Sequence, residues 1–166
     1  IVNTLLFASF RAMNEKLATV LTPQTKKILM IVSGAILFVT LVQLVLGTQV
    51  RESIDVAKNV LGLPREQWID TTDLLYAVHR SFSWLVVILS FVLLYFNKKR
   101  EVPGRLVKIG YAIFGLIILQ MLLGLGMERL NIPGTLQLLH LVSVSVLICI
   151  EFLFMLMVGF SRKAGA

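Results

Sequence analysis

The chain holds two histidines, His79 and His140, and both stand inside long apolar runs. Neutral imidazole is a strong nitrogen donor that brings no charge into hydrocarbon. Two such rings aimed at one point therefore suit the axial positions of a six-coordinate iron held in a planar macrocycle. Arg80 follows His79 directly in LLYAVHRSFSW, Leu74 to Trp84, where an ionisable side chain costs several kcal/mol unless something offsets it. A guanidinium pairs bidentately with carboxylates such as a porphyrin's propionates, so Arg80, Arg51 and Arg129 are candidates to hold them. Gly47 and Gly124 lack a Cβ and would let a flat ring lie close to the backbone. Ser81, Ser83, Ser143 and Ser145 keep the histidine-bearing segments slim.

The same residues admit plainer readings. Membrane histidines and glutamines commonly hydrogen-bond between helices, and membrane glycines commonly serve close packing. Gln43 and Gln120 suit the first role better than metal ligation, and Arg51 and Arg129 suit interfacial snorkelling as well as anion binding. Glu151 has three readings: a protonated acid, half of an ion pair, or a member of a proton path.

The elements that must position these groups are membrane spans. Of 166 residues 57% are apolar, and the mean hydropathy is +0.87, well beyond the range of soluble domains. Four apolar runs, Ile28 to Val50, Leu74 to Phe96, Val107 to Met127 and Leu136 to Phe160, are each long enough to cross a core of about 30 Å as a helix. The net charge of +7 is distributed in a way that excludes a nucleic-acid partner. Arg11, Lys16, Lys26, Lys27, Lys98, Lys99, Arg100, Arg105, Lys108, Arg162 and Lys163 all fall on one side of the spans, and the other side is mixed or acidic. The positive-inside rule puts that basic side, with both ends of the four-span unit, in the cytoplasm or the mitochondrial matrix. Trp68 on one side, with Tyr95 and Tyr111 on the other, suits interfacial aromatic belts. Cys149 is the only cysteine and reads as a small buried apolar residue.

The spans repeat. QLVLG, Gln43 to Gly47, aligns with QMLLG, Gln120 to Gly124, and LLYAVHRSFSW aligns with TLQLLHLVSVS so that His79 lies over His140. One helical hairpin used twice implies a pseudo-twofold axis along the membrane normal and a four-helix bundle with its site between the halves. Each histidine lies about six residues, roughly 9 Å, from the outer end of its span, so the two are level. In the outer loop, Ile54, Ala57, Val60 and Leu61 of SIDVAKNVLGLP share a helical face, and a short separate helix lying over the outer mouth is expected there. Glu128 and Arg129 read as a self-cancelling pair.

IVNTLLFASF is too short to span and lacks the basic region and cleavage site of a signal peptide. Residues 1 to about 20 are expected to be the tail of an earlier membrane helix with a cytoplasmic linker, and 21–166 the four-helix domain. The fold class is all-α integral membrane.

LVQLVLGTQVRESID, AVHRSFSW, LQMLLGLGMERLNIP and LLHLVSVSVLI, in that order, resemble the corresponding segments of the haem A synthase family over nearly the whole chain. The resemblance implies an oxidoreductase of two four-helix halves. One half receives haem O as substrate; the other holds a haem b between two histidines while the C8 methyl of haem O is oxidised to the formyl of haem A for respiratory oxidases. Tyr76 and Gln137 occupy the places where the substrate half has a glutamate, and no cysteine pair is present, so the chain resembles the C-terminal, cofactor-holding half. His79 and His140 then carry over as ligands of the haem b iron, and the catalytic groups are expected upstream of residue 1. The implied surroundings are the cytoplasmic or mitochondrial inner membrane, with haem O synthase, a terminal oxidase or a second copy as partners. A non-catalytic cytochrome b anchor, passing electrons between quinone and a partner subunit, is the alternative from another class, and a haemless transporter or assembly subunit is a third.

Overall fold

The computed structural model describes Thr4, Phe7, Ala8 and residues 19–163. Most of the expected N-terminal tail and linker lies outside these residues. Four long helices form the body: α1 (Pro23–Asn59), α2 (Asp73–Lys99), α3 (Gly104–Arg129) and α4 (Gly134–Gly159). All four are long and apolar enough to cross a membrane, as helices must be where no water is available to satisfy exposed backbone. α1 packs on α2 and α4, and α3 packs on the same two, so the helices form an up-and-down ring in which the repeated elements face each other diagonally.

Three of the four helices start where the sequence supplies a cap or a proline. Thr22 caps α1, its hydroxyl accepting the Thr25 N–H at 3.2 Å, and Pro23 follows. Pro103 and Pro133 immediately precede α3 and α4. A two-residue parallel pairing closes the ring at the face where α1 begins and α4 ends. There β1 (Val20–Leu21) lies on β2 (Arg162–Lys163), Arg162 N donates to Thr19 O at 2.8 Å, and Lys26 Nζ donates to Ser161 O at 3.3 Å. Periodicity gave no sign of this pairing.

The separate helix expected over the outer mouth is not there. α1 runs unbroken to Asn59, about 55 Å at 1.5 Å per residue. Between Gly47 and Gly62 the sequence has neither glycine nor proline, and Arg51 bridges Asp55 one turn on at 3.0 Å, so nothing stops the helix. It ends where Gly62 takes a φ of +61°. Ile54 and Ala57 are buried in this extension, which packs on the turn Asp70–Thr72, whereas Val60 and Leu61 are exposed.

The core is unevenly distributed. Leu29, Ile36, Leu93, Leu106, Ile113 and Phe154 are fully buried in the half of the bundle where α1 begins and α4 ends, which we call the terminal half. In the histidine half, no residue of 41–53, 74–85, 118–129 or 134–146 is buried. The terminal half is therefore a tightly packed base, and the histidine half is a looser cup standing on it.

One close approach in the base is decisive. Gly110 of α3 lies under the Asn97 side chain of α2, where an added Cβ would come within 2.5 Å of Nδ2. Asn97 is 2% exposed, so the amide has little room to retreat. Gly110→Ala should destabilise the protein by about 1–3 kcal/mol, the usual cost of overpacking, measured as a lowered thermal midpoint in detergent.

Candidate functional site

Each hairpin makes the same bond between its two helices. Gln43 Nε2 of α1 donates to the backbone carbonyl of His79 on α2 at 2.9 Å, and Gln120 Nε2 of α3 donates to that of His140 on α4 at 3.1 Å. A carbonyl already bonded within its helix has a second lone pair, and a glutamine amide one turn from a glycine is long enough to reach it across the groove. The glutamines are thus interhelical hydrogen-bonders, and they set each histidine at the same height on its neighbour. Gln120 also donates to Ser143 Oγ at 2.5 Å, while Gln43 Oε1 is buried without a partner.

Both imidazoles are half-buried, and His140 lies close enough to His79 for a charge on one to act on the other. Among the described residues neither ring hydrogen-bonds to protein, and Nδ1 of each is buried and unpaired. A buried polar atom without a partner is costly, and native structures rarely tolerate it without a functional reason. No group of three or more His, Cys, Asp or Glu side chains converges among the described residues. A bare cation would lack a complete donor set here; a metal that brings its own equatorial donors would need only the two rings.

The two glycines do different work. At Gly47 an added Cβ would meet Cε1 of His79 at 3.3 Å, so the missing side chain is the seat of the histidine ring itself. At Gly124 an added Cβ would meet nothing within 4 Å. Spacing alone made the two positions equivalent; the structure makes Gly47 a support for the His79 ring and leaves open space over Gly124. The serines bond back along their own helices, Ser81 to Ala77 O, Ser83 to Arg80 O and Ser145 to Leu141 O, so they satisfy themselves and stay slim.

Arg80 and Arg51 are engaged. Arg80 Nη1 meets Glu128 Oε1 at 2.8 Å, joining α2 to α3. Glu128 therefore does not cancel Arg129, as adjacency in sequence suggests: consecutive helical residues point about 100° apart, and the partner comes from the next helix. The Tyr76 hydroxyl lies beside both Glu128 and Arg80. On the other side of the ring, Arg51 bonds Gln137 at the start of α4 as well as Asp55. Under the repeat Arg51 occupies the place of Glu128, and Gln137 that of Tyr76. The two inter-hairpin contacts are thus one contact made twice with different chemistry, and continuing the alignment four residues past each glycine would have exposed it.

Gln137 also donates through Nε2 to Ile132 O at 2.9 Å, where Arg65 Nη2 arrives at 3.1 Å. Asn131 and Ile132 both have positive φ, 54° and 57°, which is strained for a β-branched residue. Two donors on one carbonyl hold that turn and so anchor the start of the His140 helix. Trp68 is tied down nearby, its indole N–H donating to Leu63 O at 3.0 Å beneath the Arg65 guanidinium. None of these loop partners was legible from spacing. A separate apolar groove of about 250 Å³ between α3 and α4 is lined by Leu116, Leu119, Leu123, Leu139 and Val142 and lies on the outside of the second hairpin.

Gln43→Leu and Gln120→Leu should each lower stability by about 0.6 kcal/mol, the usual worth of an interhelical hydrogen bond in lipid. Unfolding in mixed micelles measures this, and the two effects should add, because the bonds lie in different hairpins.

The profile of the COX15-CtaA family, cytochrome oxidase assembly proteins, matches residues 1–151. No curated protein and no solved structure matches the chain. The chain belongs to that family, the haem A synthase family, and with four spanning helices it is a multi-pass membrane protein.

Proposed function

We propose that this chain is the cofactor-holding part of a haem A synthase, in which His79 and His140 would hold the iron of one haem b. The observation that carries the reading is the pair of level imidazoles, each set by a glutamine on its backbone carbonyl and neither engaged by protein at the ring. The loosely packed half around them, with open space over Gly124, suits a flat macrocycle. When bound, such a haem would supply one-electron chemistry for the oxidation of the methyl of haem O to a formyl.

This chain's residues then have separate tasks. The Gln43 and Gln120 bonds fix the height of the two ligands, and Gly47 lets the His79 ring stand against α1. Arg80 is 56% exposed and uses Nη1 on Glu128, which leaves further N–H donors for a propionate; Arg51 holds the corresponding place on the other side. Ligation through one nitrogen leaves the other free to donate, which fixes the tautomer. The basic face, with both ends of the four-helix unit, lies on the cytoplasmic or matrix side of an inner membrane, and the haem O site belongs to the other half of the enzyme.

Two measurements test this. The purified protein should show the reduced α-band of low-spin, bis-histidine haem b, and His79→Ala or His140→Ala should abolish it; retention of that band in either variant overturns the ligand assignment. Pigment extracted from cells expressing the full-length gene and supplied with haem O should contain haem A, and the His140→Ala gene should yield at least tenfold less. If both genes yield equal haem A, the enzymatic reading fails.

A further inference from the structure

Glu151 is 1% exposed, deep in α4 and eight residues from its end at Gly159. Its Oε1 accepts the Thr40 hydroxyl of α1 at 2.9 Å, and Oε2 is buried without a partner. Among the described residues no cation answers it, and Glu151 has no salt bridge. The neighbouring helices offer none at this depth. α1 has no titratable residue between Lys27 and Arg51, α2 none between Arg80 and Tyr95, and α3 none between Tyr111 and Glu128. On α4 itself the nearest titratable groups are Cys149 and, eleven residues or about 16 Å toward the outer mouth, His140. An acid in such a place is by default functional, because hydrocarbon side chains would fill the core more cheaply.

Thr40 connects this acid with the histidines. It stands one turn from Gln43 on the same face of α1, and Gln43 holds the backbone of His79. Four polar atoms along this interior column lack partners, Glu151 Oε2, Gln43 Oε1, His79 Nδ1 and His140 Nδ1. The other unpaired buried atoms among the described residues, on Asn97 and Arg100, lie at the end of α2 in the base, so these four form a separate set between the acid and the two rings.

We propose that Glu151 is a proton acceptor tied to the oxidation state of the haem held by His79 and His140, taking up one proton for each electron that arrives there. The proposal rests on the haem-binding reading. The balance is one electron on iron, ferric to ferrous, and one proton on Glu151, carboxylate to carboxylic acid; a one-electron reductant supplies the first and the aqueous phase at the terminal face the second. The physical reason is charge neutrality in a low dielectric. A ferric porphyrin core carries one positive charge that offsets a buried carboxylate, and reduction removes it, leaving the carboxylate uncompensated until it binds a proton.

The test is redox titration of the purified haem-loaded protein, with dithionite as reductant, across a range of pH. The midpoint potential of wild type should fall as pH rises, approaching one proton per electron; Glu151→Gln should flatten that slope, and Glu151→Asp should retain it. Reduced-minus-oxidised infrared spectra should show a protonated-carboxyl C=O band that Glu151→Gln lacks and Thr40→Val shifts. The wild-type band and its shift in Thr40→Val decide the matter should Glu151→Gln fail to fold. An unchanged slope in Glu151→Gln, or no carboxyl band in wild type, overturns the proposal while leaving the haem-binding reading standing. A purified protein with no haem overturns both.

Discussion

The amide-to-carbonyl bond that each hairpin repeats, Gln43 to His79 and Gln120 to His140, is the interaction on which the rest of the site depends. Apolar side chains give little preference among registers when lipid is as apolar as the partner helix, so the vertical match of two spans has to come from polar contacts and small residues. Placing that contact on the backbone of the histidine, rather than on its ring, fixes the height of the residue and leaves the imidazole unspent. The arrangement is economical because two helix pairs obtain level histidines from one sequence motif.

Duplication sets the frame and divergence fills it. The position four residues beyond each glycine contacts the position three residues before the histidine of the other hairpin, as Arg51 with Gln137 and as Glu128 with Tyr76. One copy is cationic and the other anionic, and the anionic copy recruits Arg80 as well. The glycines diverge similarly, Gly47 taking the His79 ring and Gly124 facing open space. The twofold plan thus has unlike sides, with different polar chemistry on its two flanks.

The packing separates two tasks along the membrane normal. The terminal half holds the buried leucines, isoleucines and Phe154 and is closed by the short pairing of Val20–Leu21 with Arg162–Lys163. The histidine half carries the polar clamps and no buried residue along its four helical stretches. Stability concentrated at one end permits looseness at the other, as expected where a site is built on a rigid base. Glu151 and Thr40 lie where the two regimes meet.

Sequence alone determined the four spans, the repeat, the level of the two histidines and the interhelical use of Gln43 and Gln120, because hydrophobic period, helical rise and a duplicated motif are local or one-dimensional facts. It could not say that α1 continues past Arg51 to Asn59, since an exposed amphipathic stretch reads the same as a separate surface helix or as an extension. Nor could it pair Arg80 with Glu128, Thr40 with Glu151, or Asn97 with Gly110, residues that meet only because four rods pack in one rotational setting. That setting was decided by the tertiary structure. A helix presents every side chain to some direction, and only its neighbours determine which of those directions is inside.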